Sequence, residues 1–343
     1  MDHTIADVFL ASRYDRKDPV GRPWITIAVC AKTKVILGFY ISFRYPSLAS
    51  VAHTLKHAVM SKEAFMKSVG LKDHEYEFYG VFDELLTDNA REFRSGNLVA
   101  ACALEGIKLQ HRRQKQDGGI CERVLGTLNV GFVHMLPGGT GSRSRKDRDF
   151  NPQKHAVMTL EEFTRYFTLA VCEYHDTAGE DGKTPRDRWR EALRDAKGRP
   201  VAPRRVHDVK NFIIEVLPEK HPVMSKTGLK VNGFRYSNDV LRHMIGKRIR
   251  VKYDSANLSM VLARFEGQWI EVPCCEKTPG TLTAKAILQK YLKRAGKLGE
   301  RAVKAFLARA DQLRQSILLD TPAMRKQLEI NDADKEVGLV THH

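Results

Sequence analysis

The sequence predicts a mixed α/β core, then a small all-β module and a basic helical arm. Three patterns carry that prediction. Apolar and β-branched runs at 2–10, 24–30 and 35–43 read as strands, the last two antiparallel because only four residues separate them. Beyond residue 47 the apolar period alternates between helical and strand spacing, as expected of helices layered on one mixed sheet. Between 206 and 273 short strands recur at close intervals, the pattern of a small barrel.

Each element has a local reason. A strand begins almost at once at 2–10, and Asp18-Pro19 with Gly21 makes the polar turn before Trp24. Ser47 suits the N-cap of a helix reaching about Met60, with Leu48, Val51, Leu55 and Val59 on one face. A buried strand at 81–87 runs through Leu85-Leu86-Thr87 into Asp88-Asn89; a helix at 98–105 and a strand at 107–110 follow. A basic, glycine-ended loop then leads to a helix from about Ile120 to Leu136, and 137–149 is a second loop without apolar period. Thr159 with Glu162 is a capping box opening a helix that ends near Tyr174-His175. Gly198, Pro200 and Pro203 mark a linker. Strands are expected at 212–216, 228–231, 248–253, 260–265 and 269–272, with turns at Asn232-Gly233, Asp254-Ser255 and Glu266-Gly267. From 281 onward Ala, Leu, Lys and Arg keep helical spacing, and so basic a helix needs a partner for its apolar stripe. The domain reading is a core at 1–196, a linker at 197–205, a small β-barrel at 206–277 and a helical arm and tail at 278–343.

Charge points to a polyanionic partner. The 343 residues carry 57 Lys and Arg against 41 Asp and Glu, a formal charge of +16, which favours nucleic acid. The six cysteines show no metal-ligand or CxxC spacing and read as reduced thiols of a cytoplasmic protein. No apolar run approaches the roughly 18 residues that span a bilayer, so no membrane partner is expected.

Asp88 is the first candidate for chemistry. A carboxylate ending a buried strand is held rigidly with its head in water, as a hard cation requires. Asp2 opens the first strand and Glu122 the helix after the basic loop. With first and fourth strands as neighbours, the three carboxyl groups converge within roughly 8 Å, close enough to share two cations. Spacing alone does not single out this triple, since Asp88-Asn89 also suits a turn and Glu122 also suits a helix dipole. Asp7 faces away from Asp2 under strand alternation, Asp83 and Glu84 read as solvated strand-edge residues, and His175 reads as structural.

A resemblance sharpens the choice. Asp2-His3-Thr4, Thr87-Asp88-Asn89-Ala90-Arg91-Glu92-Phe93, and Gly119-Ile120-Cys121-Glu122-Arg123 followed by Gly126-Thr127-Leu128 resemble the three acidic signatures of DDE transposases and retroviral-type integrases. Glu173-Tyr174-His175 and Thr184-Pro185-Arg186-Asp187-Arg188-Trp189 are similar to the end of that integrase core. Gly228-Leu229-Lys230-Val231-Asn232-Gly233, Tyr236, Leu241, Gly246-Lys247, Val251-Lys252-Tyr253-Asp254 and Leu258-Ser259 resemble the β-barrel that follows the core in Mu-type and TnsB-like transposases.

The resemblance spans 2–275 and implies an RNase H-like core acting as a DDE-type polynucleotidyl transferase. Such an enzyme nicks transposon-end DNA by hydrolysis and joins the 3′-hydroxyl to target DNA by in-line attack. Asp2, Asp88 and Glu122 would be its catalytic and metal-binding residues, holding two Mg²⁺, with Mn²⁺ able to substitute. The implied partners are double-stranded DNA of the ends and target, other transposase protomers in a DNA-bound multimer, and an ATPase that selects targets, at the bacterial nucleoid. With that core, Arg112, Arg113, Lys115, Arg143, Arg145, Lys146, Arg204, Arg205, Lys247 and Arg248 become candidate DNA contacts, with Arg250 and Lys252 adding charge in the barrel. Ala90 stands where many members carry Gly, and Gln116-Asp117-Gly118-Gly119 replaces a more usual Lys-Gly. Members carry further chain before the first Asp, so this chain is expected to be part of a longer enzyme. The competing reading is a catalytically silent DNA-binding or assembly module that keeps the fold.

Overall fold

The computed structural model describes residues 1–13, 16, 18–112, 119–141, 151–255 and 257–275. The expected arm at 278–343 lies outside the described residues, as do Arg113, Lys115, Arg143, Arg145 and Lys146. The chain divides into two compact units. Among the described residues, the first holds Met1–His221, Ile249–Ala256 and Leu262–Trp269; the second holds Pro222–Arg248, Asn257–Val261 and 270–275. No helix among the described residues is long and apolar enough to cross a membrane.

The first unit opens with β1 (Asp2–Ile5), then a small ribbon of β2 (Leu10–Ala11) and β3 (Pro19–Gly21), then β4 (Trp24–Val29) and β5 (Ile36–Ser42). The strands β1, β4 and β5 form an antiparallel sheet with β4 in the middle, where Asp2 lies opposite Ile27 and Ile25 opposite Ile41. The central strand is buried on both faces at Ile25, Thr26, Ile27 and Ala28, which suits its β-branched run.

Helix α1 (Leu48–Val59) starts where expected, with the Ser47 N–H donating to Ser50 Oγ at 2.9 Å. It lies so close on β5 that a Cβ at Gly38 would stand 2.6 Å from Ala58 N and 2.8 Å from Thr54 O. These are helix backbone atoms and cannot rotate away. Gly38→Ala is therefore expected to lower stability by about 2–3 kcal/mol through forced separation of helix and sheet. Urea denaturation checks this, and a loss under about 0.5 kcal/mol would refute it.

After α2 (Glu63–Ser68) comes β6 (Glu84–Thr87), then α3 (Gly96–Leu104) and β7 (Lys108–His111). Strands β6 and β7 pair in parallel from Glu84 opposite Lys108 to Thr87 opposite His111, with α3 as the crossover. Next are α4 (Gly119–Gly131) and α5 (Leu160–Asp176), the latter opened by the reciprocal Thr159–Glu162 capping box at 2.9 and 3.3 Å. Two further helices follow, α6 (Pro185–Ala192) and α7 (Val209–Val216). Ile25, Ile27, Leu55, Phe93, Leu128 and Phe167 lie in the core between these layers.

Two expectations need correction. The single mixed sheet is instead an antiparallel trio and a separate parallel pair. No ladder joins β1 to β6; the terminal amine of Met1 donates to Leu86 O at 2.8 Å, one bond at the very start of a four-residue strand. The strand at 212–216 is helix α7, because Asp208 caps it by accepting the Asn211 N–H at 3.0 Å. Within the 197–205 segment, Arg204 O accepts the Val81 N–H at 2.7 Å and Leu193 O accepts the Val201 N–H at 2.8 Å.

Beyond α7, β8 (Glu219–Lys220) belongs to the first unit. In the second unit β9 (Leu229–Val231) and β10 (Phe234–Tyr236) form a hairpin whose two-residue turn, Asn232 and Gly233, has φ of 55° and 92°, as the Asn-Gly signal predicts. Returning to the first unit, β11 (Val251–Lys252) pairs with β8 and with the Leu262–Ala263 stretch of β12 (Met260–Phe265). The last strand is β13 (Gln268–Pro273).

Candidate active site

Strand β6 ends with Thr87 buried, and the next residue, Asp88, is half-buried. Its Oδ1 accepts the Ala90 N–H at 2.9 Å, an Asx turn that redirects the chain and buries Phe93. At the end of β7 the Arg112 N–H donates to Thr87 O at 2.8 Å, and Asn89 Nδ2 donates to Arg112 O at 3.2 Å. The parallel pair thus delivers Asp88 and Arg112 together.

Asp2, at the start of β1, accepts the His3 N–H on Oδ1 at 2.8 Å and Arg112 Nη2 on Oδ2 at 3.2 Å. The Arg112 and Asp2 side chains are only 12% and 16% exposed, and Arg112 Nε is buried without a partner. His3 stands between the two sheets. Its Nδ1 is 2.9 Å from Thr26 Oγ1, its Nε2 is 3.2 Å from Glu92 Oε1, and its ring stacks on Phe93 at 4.8 Å. Burial pushes its pKa below the ordinary histidine value against the carboxylates of Glu92, Asp2 and Asp88, which favour the proton.

Glu122 lies exposed in the first turn of α4. That turn, through Ile120 and Cys121, borders a cavity of about 480 Å³ whose wall also includes Met1, Leu86 and Arg112. Among the described residues, no three His, Cys, Asp or Glu side chains are grouped so as to hold a metal ion. Carboxylate oxygens are the donor type that a hard divalent cation takes. The donors are carboxylate oxygens, and Asp2 already holds a positive group, the Arg112 guanidinium. Mg²⁺ is commonly held by one or two carboxylates and completed by substrate phosphates and water.

The remaining candidates sort by their partners. Asp7 binds Arg22 at 2.5 Å and His134 at 3.0 Å, apart from the carboxylates around His3. Glu84 pairs with Lys108 at 3.1 Å, and Asp83 is exposed near Arg204. His175 is fully buried, with Nε2 accepting the Ile36 N–H at 2.9 Å, and burial holds it far below the ordinary histidine pKa. Arg204 and Arg205 are exposed while touching Phe82 O at 3.2 Å and Tyr79 Oη at 3.3 Å. Lys247 and Arg248 are exposed in the second unit. Arg250 and Lys252 correct the expectation of open barrel charge. Arg250 makes two 2.8 Å bonds to Glu219, and Lys252 is buried, 3.7 Å from Glu215 and 3.4 Å from Glu219. Burial penalises the Lys252 charge and lowers its pKa, so these two cations are committed to internal carboxylates. Burial likewise raises the Cys102 and Cys172 thiols to about 12 and about 11, which leaves them protonated and unreactive. Sequence reasoning quoted His3 and Glu92 within the motifs without giving them a role and passed over Thr26; the signal available was a charged residue beside Phe93, four positions after Asp88.

Comparison with known proteins bears on this geometry. A family model of the TnsB C-terminal domain matches residues 1–138, which include Asp2, Asp88 and Glu122. A model of the Mu transposase C-terminal domain matches residues 216–271. The chain is 23% identical over 271 residues to the transposase for transposon Tn552 of Staphylococcus aureus, covering 78% of this chain and 52% of that one. It is 25% identical over 260 residues to the transposon Tn7 transposition protein TnsB of Escherichia coli, covering 71% of this chain and 36% of that one. The chain thus spans about half the length of the first relative and about a third of the second. One chain of the simian T-cell lymphotropic virus intasome in complex with PP2A regulatory subunit B56 gamma aligns over 79% of this chain and 74% of its own, at 12% identity and a TM-score of 0.34, too low to carry an argument.

Proposed function

We propose that this chain, TnsB-like and Mu-type by its two family matches, is the catalytic part of a DDE-type DNA transposase, with an RNase H-like core and a small barrel after it. The observation that carries the reading is that Asp2 is bound by Arg112, the residue that backbone and Asn89 bonds hold at the strand end beside Asp88, although the two sheets share no ladder. Asp2 and Asp88 would hold divalent cations, with Glu122 joining from the first turn of α4. When bound, two Mg²⁺ supply charge stabilisation and an activated water for phosphodiester cleavage.

The residues of the chain do the rest. The Asx turn at Asp88 and the strand start at Asp2 hold two carboxylates on rigid elements, so that little reorganisation is needed when a phosphate arrives. The Arg112 guanidinium neutralises Asp2 and can exchange that carboxylate for a DNA phosphate, which it would bind through the same planar donors. Exposed Arg204, Arg205, Lys247 and Arg248 add positive charge for the DNA backbone. The reaction class is hydrolysis of a strand end followed by in-line attack of the 3′-hydroxyl on target DNA. Double-stranded DNA, further protomers and an ATPase partner are the proposed associates.

Incubating the chain with supercoiled plasmid tests the reading. Mg²⁺ or Mn²⁺ should convert supercoiled to nicked circles, and a chelator should stop it. Asp2→Asn should bind plasmid as the parent chain does but leave it uncut. Plasmid binding without any metal-dependent nicking would instead favour the silent DNA-binding module.

A further inference from the structure

We propose that His3 is the positioning residue that fixes the spacing of Asp2 and Asp88, an inference that rests on the metal-dependent reading above. The two carboxylates belong to different sheets, and no ladder of backbone bonds sets their separation. Among the described residues, three polar or ring contacts span that boundary beside the apolar core. One is the Met1 amine on Leu86 O at 2.8 Å, just before the start of β1. A second is Arg112 on Asp2, which a cation or a phosphate would displace. The third is the His3 ring. It is 7% exposed and holds both sides at once: Thr26 directly across from it on β4, and Glu92 and Phe93 on the chain leaving β6.

The geometry leaves the ring little freedom. Stacking on Phe93 at 15° between planes fixes its tilt, and the Thr26 hydroxyl at 2.9 Å fixes its rotation. Thr26 is itself buried in the central strand, so the anchor on that side is rigid. His3 Nε2 then lies 3.2 Å from Glu92 Oε1, four residues beyond Asp88 and past the Asx turn, a close approach without hydrogen-bond geometry. A ring held this way transmits the position of β4 to the Asp88 turn. It touches neither a reacting atom nor a cation, so its role is positioning.

The test measures Mn²⁺ binding to the full chain without DNA, by the loss of free-ion signal in electron paramagnetic resonance, alongside thermal melting. His3→Phe keeps the stack on Phe93 and removes both nitrogens. It should weaken Mn²⁺ binding about tenfold, the usual cost of losing a supporting contact to a metal site. Thr26→Val, isosteric and distant from the carboxylates, should weaken binding by a smaller factor with unchanged melting. His3→Asn, which can restore the Thr26 bond, should recover part of the affinity. Parent-like Mn²⁺ affinity in both His3→Phe and Thr26→Val would overturn the proposal. Asp88→Asn separates the two layers. If it too binds Mn²⁺ as the parent does, the metal reading fails and His3 falls with it. If only Asp88→Asn loses the ion, the positioning role alone is wrong.

Discussion

Asp88→Asn is expected to slow metal-dependent strand cleavage by about a thousandfold or more while leaving the fold intact. The structural half follows from the turn. Asp88 Oδ1 accepts the Ala90 N–H, and an asparagine Oδ1 accepts the same bond. Asp88 is half-buried and makes no ion pair among the described residues, so its charge supports little of the fold. The expected stability change is therefore within about 0.5 kcal/mol. The chemical half follows from charge. Removing one negative oxygen from a site proposed to hold two dications forfeits several kcal/mol of transition-state stabilisation, and each 1.36 kcal/mol is about tenfold in rate. Plasmid nicking rates and urea denaturation of the same preparations check both halves. A variant that cuts within tenfold of the parent removes Asp88 from the catalytic set.

That carboxylate was legible because its cause is local. A buried Leu85 and Thr87 lead straight into Asp88-Asn89, and strand ends of this kind are written in consecutive residues. The same holds for the helix starts at Ser47 and Thr159, where the Ser50 and Thr159 hydroxyls lie within four residues of the backbone they serve. Helix α7 shows where period reading breaks down. Phe212, Ile214 and Val216 are all buried, an alternation that a strand would give equally well. Only the Asp208 cap separates the two, and over eight residues it is the better guide. Thr184 with Asp187 opens α6 by the same signature.

The partners around the site were not legible, for a different reason. Asp2 and Arg112 are 110 positions apart, and their meeting depends on how two sheets abut. Residue type also hides burial: Lys252 looks like surface charge in the sequence and is enclosed by Glu215 and Glu219 in the fold. Alternation along β1 sets His3 opposite Asp2, yet the Asp2 carboxylate turns back to accept the His3 N–H. Glu122 is proposed from its resemblance, to which the fold adds its position in the first turn of α4.

Lys62 carries the largest expected effect on stability. Its side chain is 1% exposed, and Nζ donates to His57 O and to Met60 O at 2.9 Å, beside the rings of Tyr76 at 5.4 Å and Tyr79 at 6.0 Å. No carboxylate is paired with it among the described residues, and burial lowers its pKa from 10.5 to about 7. The unfolded chain keeps the proton up to about 10.5. Between about pH 7 and 10.5 the unfolded state therefore binds more protons than the folded one, and stability must rise with pH across that window. The penalty is complete at and below about pH 7 and disappears as the pH approaches the unfolded value. His57, next to it, is held down to about 3 by burial and by the Lys62 charge, so it does not titrate in this window. Lys62→Met fills the same space without a proton to lose. It also gives up the bonds to two carbonyls, a loss that is nearly the same at every pH. The decisive quantity is the change with pH of the stability difference between variant and parent. Relative to the parent, the variant should lose about 3 kcal/mol between pH 7 and pH 9.5, at about 1.4 kcal/mol per unit. Urea denaturation at both pH values measures it. Parallel profiles for variant and parent would show that Lys62 keeps its proton in the folded chain, with the two carbonyls and the aromatic faces compensating its burial in full.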